Sequence, residues 1–134
     1  MKLNTLKFEK IDQIAKITIN RPENFNTLNN QMSCELLKVA IFCDEDTNVK
    51  AIILTGSGDK SFCAGGDLFS FKNSGSKLSS EVKEFIISLH GAISKFCRLK
   101  APIIASINGV AAGAGLSFAS FPSLAIASTE ATFV

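Results

Sequence analysis

One histidine, His90, and four cysteines without a close pair (Cys34, Cys43, Cys63 and Cys97) leave few groups to hold a metal, and no metal site is expected. His90 falls beside Leu89 in an amphipathic stretch. It suits a helix surface or a hydrogen-bonded core position better than a general base. The widely spaced thiols read as reduced core residues. With no apolar leader in residues 1–5, they point to the cytoplasm or a comparable reducing compartment. No apolar run is long enough to span a bilayer, so no membrane partner is expected. Charge of one sign is lacking too: 14 Lys and Arg stand against 12 Asp and Glu, a net +2. The lysines are scattered, which argues against a nucleic-acid partner. Internal repeats and low-complexity tracts are absent.

What is present is enough for one small domain with a core: 134 residues, 46% of them apolar. Residues 103–117 organise it. A short apolar run behind Pro102 suits a buried strand, Asn108-Gly109 turns the chain, and small residues lead into Leu116, Ser117, Phe118 and Ala119 as the first turns of a helix. A strand feeding a helix through side chains this small leaves backbone N–H groups uncovered, which suits an oxygen gaining negative charge. The same composition also serves a turn that only lets a helix pack closely on a sheet.

Upstream, residues 8–19 read as a hairpin about Asp12-Gln13, and Asn20-Arg21-Pro22-Glu23-Asn24 as a loop. Thr27 or Asn29 caps a helix running to about Cys43, with Leu28, Met32, Leu36, Val39 and Ala40 on one face. Residues 51–54 form a buried strand that ends in a loop over 55–59. A second glycine-centred segment follows at Ser61-Phe62-Cys63-Ala64-Gly65-Gly66-Asp67-Leu68. Residues 72–80 are polar and mobile. Ser79 or Ser80 opens a helix through Cys97, with a core stripe of Val82, Phe85, Ile86, Leu89, Ile93 and Phe96. Leu124–Ala127 is one more strand. The alternation of strands and helices argues for right-handed βαβ units and a mainly parallel sheet, an α/β class.

Side-chain chemistry is thin. Ser117 has no identifiable base, and Asp67 suits a helix cap better than an acid or base. The run 109–115 has a dinucleotide-like spacing, which would predict NAD binding, but it lies late and no suitable acidic residue follows. Two glycine-rich turns remain, each able to offer a main-chain N–H. Two such donors on one point form an oxyanion hole, and losing one typically costs about 3 kcal/mol of barrier stabilisation.

Three segments in order carry a resemblance. Asn20-Arg21-Pro22 with Asn26-Thr27-Leu28-Asn29, then Phe62-Cys63-Ala64-Gly65-Gly66-Asp67-Leu68, then residues 102–115, resemble the motifs of the crotonase family of enoyl-CoA hydratases and isomerases. The likeness runs from about Phe8 to Val134. It implies a crotonase-like spiral of repeated ββα units. Residues 1–134 would be its single N-terminal core, an incomplete domain without a second one, truncated before the C-terminal helices that build homotrimers or hexamers. It implies an acyl-CoA thioester as ligand, with coenzyme A part of the substrate and no separate cofactor. The enolate-holding N–H groups fall by position at Gly66 and Ala114, with Gly113 competing for the second. Glu23, Asn24 and Phe25, with Ala64, Asp67 and Leu68, match the residues that line the coenzyme A site.

Two departures qualify this likeness. Ser117 stands where the family's hydratases carry a catalytic glutamate, and their second glutamate would fall just past Val134. Pro122-Ser123 replaces a common Cys-Asp pair. Ser117 tilts the reading toward isomerisation or another enolate reaction. It also leaves open a non-catalytic acyl-CoA-binding or assembly module on the same fold.

Overall fold

Alternation builds the first hairpin. In the computed structural model, which describes residues 1–134, β1 (Leu6–Ile11) pairs antiparallel with β2 (Ile14–Ile19) about Asp12-Gln13. Ala15, Ile17 and Ile19 point inward and are fully buried. A 3-10 turn at Pro22–Asn24 follows. Helix α1 (Asn30–Glu45) then opens on Asn29, whose side chain accepts the Met32 amide at 2.9 Å. Leu28, Met32, Leu36, Val39 and Ala40 are sealed from solvent, as their spacing requires.

The chain continues through β3 (Ala51–Gly56), β4 (Ser61–Cys63), α2 (Leu68–Lys72), α3 (Leu78–Phe96), β5 (Ile103–Ile107), β6 (Val110–Ala111), α4 (Ala114–Ser120) and β7 (Leu124–Ala127). The main sheet has the order β1-β2-β3-β5-β7 and is parallel beyond its first pair. A second, smaller sheet pairs β4 with β6 in parallel, and Phe133 bridges onto Ala111 beside it. Leu28 bridges onto Gly66 in the same sense. Strands β3 and β5 of the large sheet are thus each followed by a short strand of the second layer, and β2 and β7 by a single bridging residue there, Leu28 and Phe133. That repetition is a spiral of ββα turns, with one contiguous core between the sheets and helices.

Several details differ from the sequence expectation. Cys43 and Cys63 are buried, but Cys34 and Cys97 are exposed: the first lies on α1 with its sulfur 3.7 Å from the Ser88 hydroxyl of α3, and the second caps α3. Burial pushes the Cys43 and Cys63 thiols up to about 11, so both stay protonated and unreactive near neutral pH. On α3 the buried line is Phe85, Leu89, Ala92 and Phe96, whereas Ile86 is 42% exposed. Ile86 sits one residue, about 100° of helix turn, off that line. Strand β3 runs through Gly56, and the polar stretch 72–80 holds a 3-10 turn (Gly75–Lys77) with α3 starting at Leu78.

Glu35 ties the N-terminus to α1. Its carboxylate is buried and accepts the Asn4 amide at 3.0 Å, the Thr5 amide at 2.9 Å and the Thr5 hydroxyl at 2.7 Å. Burial alone would raise its pKa, but these bonds together outweigh it and hold the carboxyl below the usual glutamate range. A folded-state value that lies low adds stability above the unfolded value of about 4.3, and that stability is lost as pH falls through the folded value. Glu35→Gln should therefore cost about 2 kcal/mol at pH 7 and flatten the loss of stability between about pH 5 and pH 3. Urea titrations followed by circular dichroism at both pH values test this. An unchanged pH slope would remove Glu35 as its source.

Candidate functional site

Two turns meet where the second sheet ends. The first, Gly65-Gly66, follows β4, and the second, Ala112-Gly113, joins β6 to α4. Gly65 has φ 99° and Gly113 has φ 53°, a region that favours glycine at both positions. The turns touch: a β-carbon placed on Gly65 would stand 3.0 Å from the Ala112 carbonyl oxygen and 3.6 Å from the Ala114 nitrogen. Gly66 and Ala114 are both half-buried and reachable from solvent.

Following every amide through these turns isolates two. Ala64 N–H donates to Phe25 O at 3.1 Å, Gly65 N–H is directed at the Cys63 sulfur, and Asp67 N–H donates to Leu28 O at 2.9 Å. In the second turn Ala112 N–H goes to Cys63 O at 3.0 Å, Gly113 N–H to Val134 O at 3.2 Å, and Gly115 N–H to Ala112 O at 2.8 Å. Each turn keeps one amide with no acceptor in the chain, Gly66 in the first and Ala114 in the second. Ala114 is the first residue of α4, so its N–H has no carbonyl one turn back. Gly113, the competing position, is already engaged.

Beside Gly66 lies an apolar depression of about 400 Å³. Its lining brings together Glu23, Asn24, Phe25, Ala64, Gly66, Asp67 and Leu68, with Thr27 and Phe69. Ala114 and Gly113 lie outside this lining, on the neighbouring turn. Phe69 was not singled out from the sequence. The available signal was an aromatic residue on a helix, α2, that has no buried residue of its own. A second depression of about 400 Å³, at the C-terminal end of α1, is lined by charged residues including Asp44 and Asp46. Those carboxylates pair with Lys95 and Lys10, respectively.

Asp67 shapes this region without being a free acid or base. One of its oxygens accepts the Ser70 amide at 3.0 Å and so caps α2, while the other meets the Arg21 guanidinium at 2.8 Å. Burial pushes the carboxyl up, but the Ser70 amide and Arg21 outweigh it and hold it below the usual aspartate range. Arg21 also donates to Thr27 O at 2.7 Å within its own loop, and its pair with Asp67 joins that loop before α1 to the loop before α2. Asn26, fully buried, accepts the Arg21 amide and donates to Ser57 O and Ser61 O. Ser117 and His90 are exposed, on α4 and α3.

The spiral fold, the paired turns and the ordered motifs belong to one family. The chain matches the enoyl-CoA hydratase/isomerase family over residues 9–134 and is a member of it. It is 37% identical over 133 residues to the short-chain-enoyl-CoA hydratase of Clostridium acetobutylicum, covering 99% of this chain and 50% of that protein. It is 33% identical over 125 residues to the 1,2-epoxyphenylacetyl-CoA isomerase of Escherichia coli, covering 90% of this chain and 46% of that protein. Among solved structures, the enoyl-CoA hydratase from Bacillus anthracis superposes with a TM-score of 0.87 at 28% identity, over 97% of this chain and 50% of that one. The chain spans about half the length of the curated relatives it matches.

Proposed function

We propose that this chain binds an acyl-CoA thioester and holds its carbonyl oxygen between the Gly66 and Ala114 amides, as part of an enzyme that forms a thioester enolate. The observation carrying this reading is the single unspent amide in each of two touching turns. An enolate formed from a thioester concentrates charge on oxygen, and main-chain dipoles fixed in advance reorganise little to meet it. The depression beside Gly66 would take the coenzyme A portion, along Glu23, Asn24, Phe25, Ala64, Asp67 and Leu68.

Proton transfer needs another group. Asp67 is ion-paired and its carboxyl is held low, and Ser117 is neither a carboxylate base nor a useful acid at neutral pH. The acid/base residue is therefore proposed to come from outside these 134 residues, with this chain alone inactive. Isomerisation or another enolate reaction is favoured over water addition because of Ser117. The same serine favours, as a second reading, a binding or assembly module on this fold. Homotrimers or hexamers of the whole protein, and a cytoplasmic location, belong to the proposal as well.

Amide NMR on titration with crotonyl-CoA tests the site. The Gly66 and Ala114 resonances are expected to move together, with Gly113 moving less, while absorbance of the conjugated thioester stays constant. Movement elsewhere with both amides still would sink the oxygen site. Turnover near the common enzyme rate of about 10 per second would show an acid/base group within the chain.

A further inference from the structure

The two strands that carry the turns are out of step by one residue. Ser61 of β4 pairs with Val110 of β6, and the next pair is Cys63 with Ala111, so β4 uses two residues where β6 uses one. The main-chain bonds agree. Val110 N–H donates to Lys60 O at 3.2 Å and Ala112 N–H to Cys63 O at 3.0 Å, acceptors three residues apart for donors two apart. Phe62 is the extra residue of a β-bulge, with its side chain fully buried. This bulge decides which amides come level. Gly66 lies three residues beyond Cys63, and Ala114 three beyond Ala111. A β4 without the bulge, counted on from the Ser61–Val110 pair, would set Gly66 level with Gly115, whose amide is spent on Ala112 O.

Ser61 sits at the foot of the bulge and is 2% exposed. Its hydroxyl lies 2.8 Å from Phe25 O and 3.1 Å from Val110 O, so its single proton serves carbonyls of two different segments, the loop before α1 and β6. Its own carbonyl accepts the Asn26 side-chain amide at 2.7 Å. The Phe25 carbonyl has a second donor in the Ala64 amide at 3.1 Å, which holds the loop whether or not the hydroxyl is there. We propose that Ser61 is a positioning residue: its hydroxyl locks the Phe62 bulge against β6 and so brings the Gly66 and Ala114 amides level for one oxygen. This rests on the thioester reading above and deepens it. Ser61 lies outside the lining of the hollow and acts through the backbone of the two strands.

Calorimetry on the 134-residue chain with butyryl-CoA and with S-butyl-CoA, the thioether that lacks the carbonyl oxygen, reads the oxygen site alone. The native chain is expected to bind the thioester about tenfold more tightly, as two modest hydrogen bonds would give. Ser61→Ala should cut that ratio to about twofold or less and leave thioether affinity unchanged, because the coenzyme A end keeps its contacts. In amide NMR, butyryl-CoA should then no longer move Gly66 and Ala114 together. Ser61→Cys keeps nearly the same volume but donates weakly, so its ratio should fall between the two. If circular dichroism shows Ser61→Ala unfolded, Ser61→Cys decides, and a full native ratio there overturns the role. A native ratio retained in folded Ser61→Ala, or an equal loss of both ligands, overturns the positioning role while the oxygen site stands. Equal affinity of the native chain for thioester and thioether, or no binding of either, overturns the thioester reading, and the Ser61 role with it.

Discussion

Replacing Gly115 with alanine is expected to destabilise the fold by about 3 kcal/mol, the upper end for overpacking. The new β-carbon would lie 1.9 Å from the Cys63 carbonyl oxygen and 2.7 Å from its carbon. That obstacle is the backbone of β4, which cannot swing aside as a side chain can. The Cys63 carbonyl also accepts the Ala112 amide, so a shift of α4 away from β4 would pull on the turn that carries Ala114. Gly66→Ala is the control. A β-carbon there meets nothing within 4 Å, so its effect on stability should stay within about 0.5 kcal/mol. The chain has neither tryptophan nor tyrosine, which makes circular dichroism the natural readout for urea unfolding. Equal midpoints for the two variants would mean that α4 does not need this close approach.

That contrast bears on what the sequence could reveal. Both positions are glycines in small-residue runs, and composition cannot separate them. Gly115 is required by a strand 52 residues away in the chain, whereas at Gly66 the missing side chain only leaves space open. Local features were legible: the hairpin about Asp12-Gln13, the Asn29 cap and the α1 stripe each depend on neighbours within a turn or two, although Ile11 and Ile14, expected on the apolar face of the hairpin, are exposed. The exposure of Cys34, Cys97 and Ile86 was not, because it depends on which helix faces find partners. That the Gly113 amide is engaged and the Ala114 amide is not depends on the Val134 carbonyl, a contact no motif encodes. The resemblance located both turns, but hydrogen-bond accounting picked out the unspent amide in each.

Arg21 illustrates the same point. The Asn20-Arg21-Pro22 segment marks its position but not its partner, a carboxylate 46 residues on. Yet Arg21→Ala should cost about 3 kcal/mol at pH 7, because it leaves the nearly buried Asp67 carboxylate without its cation. The pH dependence provides the signature. In the native chain Asp67 is held low, so it adds stability above the unfolded value of about 3.9, and that stability is lost as pH falls through the folded value. In the variant, burial acts without the guanidinium to oppose it, so the Asp67 pKa rises and the carboxyl takes up a proton more readily on acidification. The two stabilities should therefore converge toward about pH 3. Adding Asp67→Asn should recover part of the loss at pH 7, since the orphaned charge is then gone. Where the variant remains folded, thioester binding should weaken as well: Arg21 also holds the Thr27 carbonyl, and the hollow lined by Phe25 and Phe69 takes its shape from both loops. A penalty of the same size at pH 7 and pH 3 would show that Arg21 acts through packing alone.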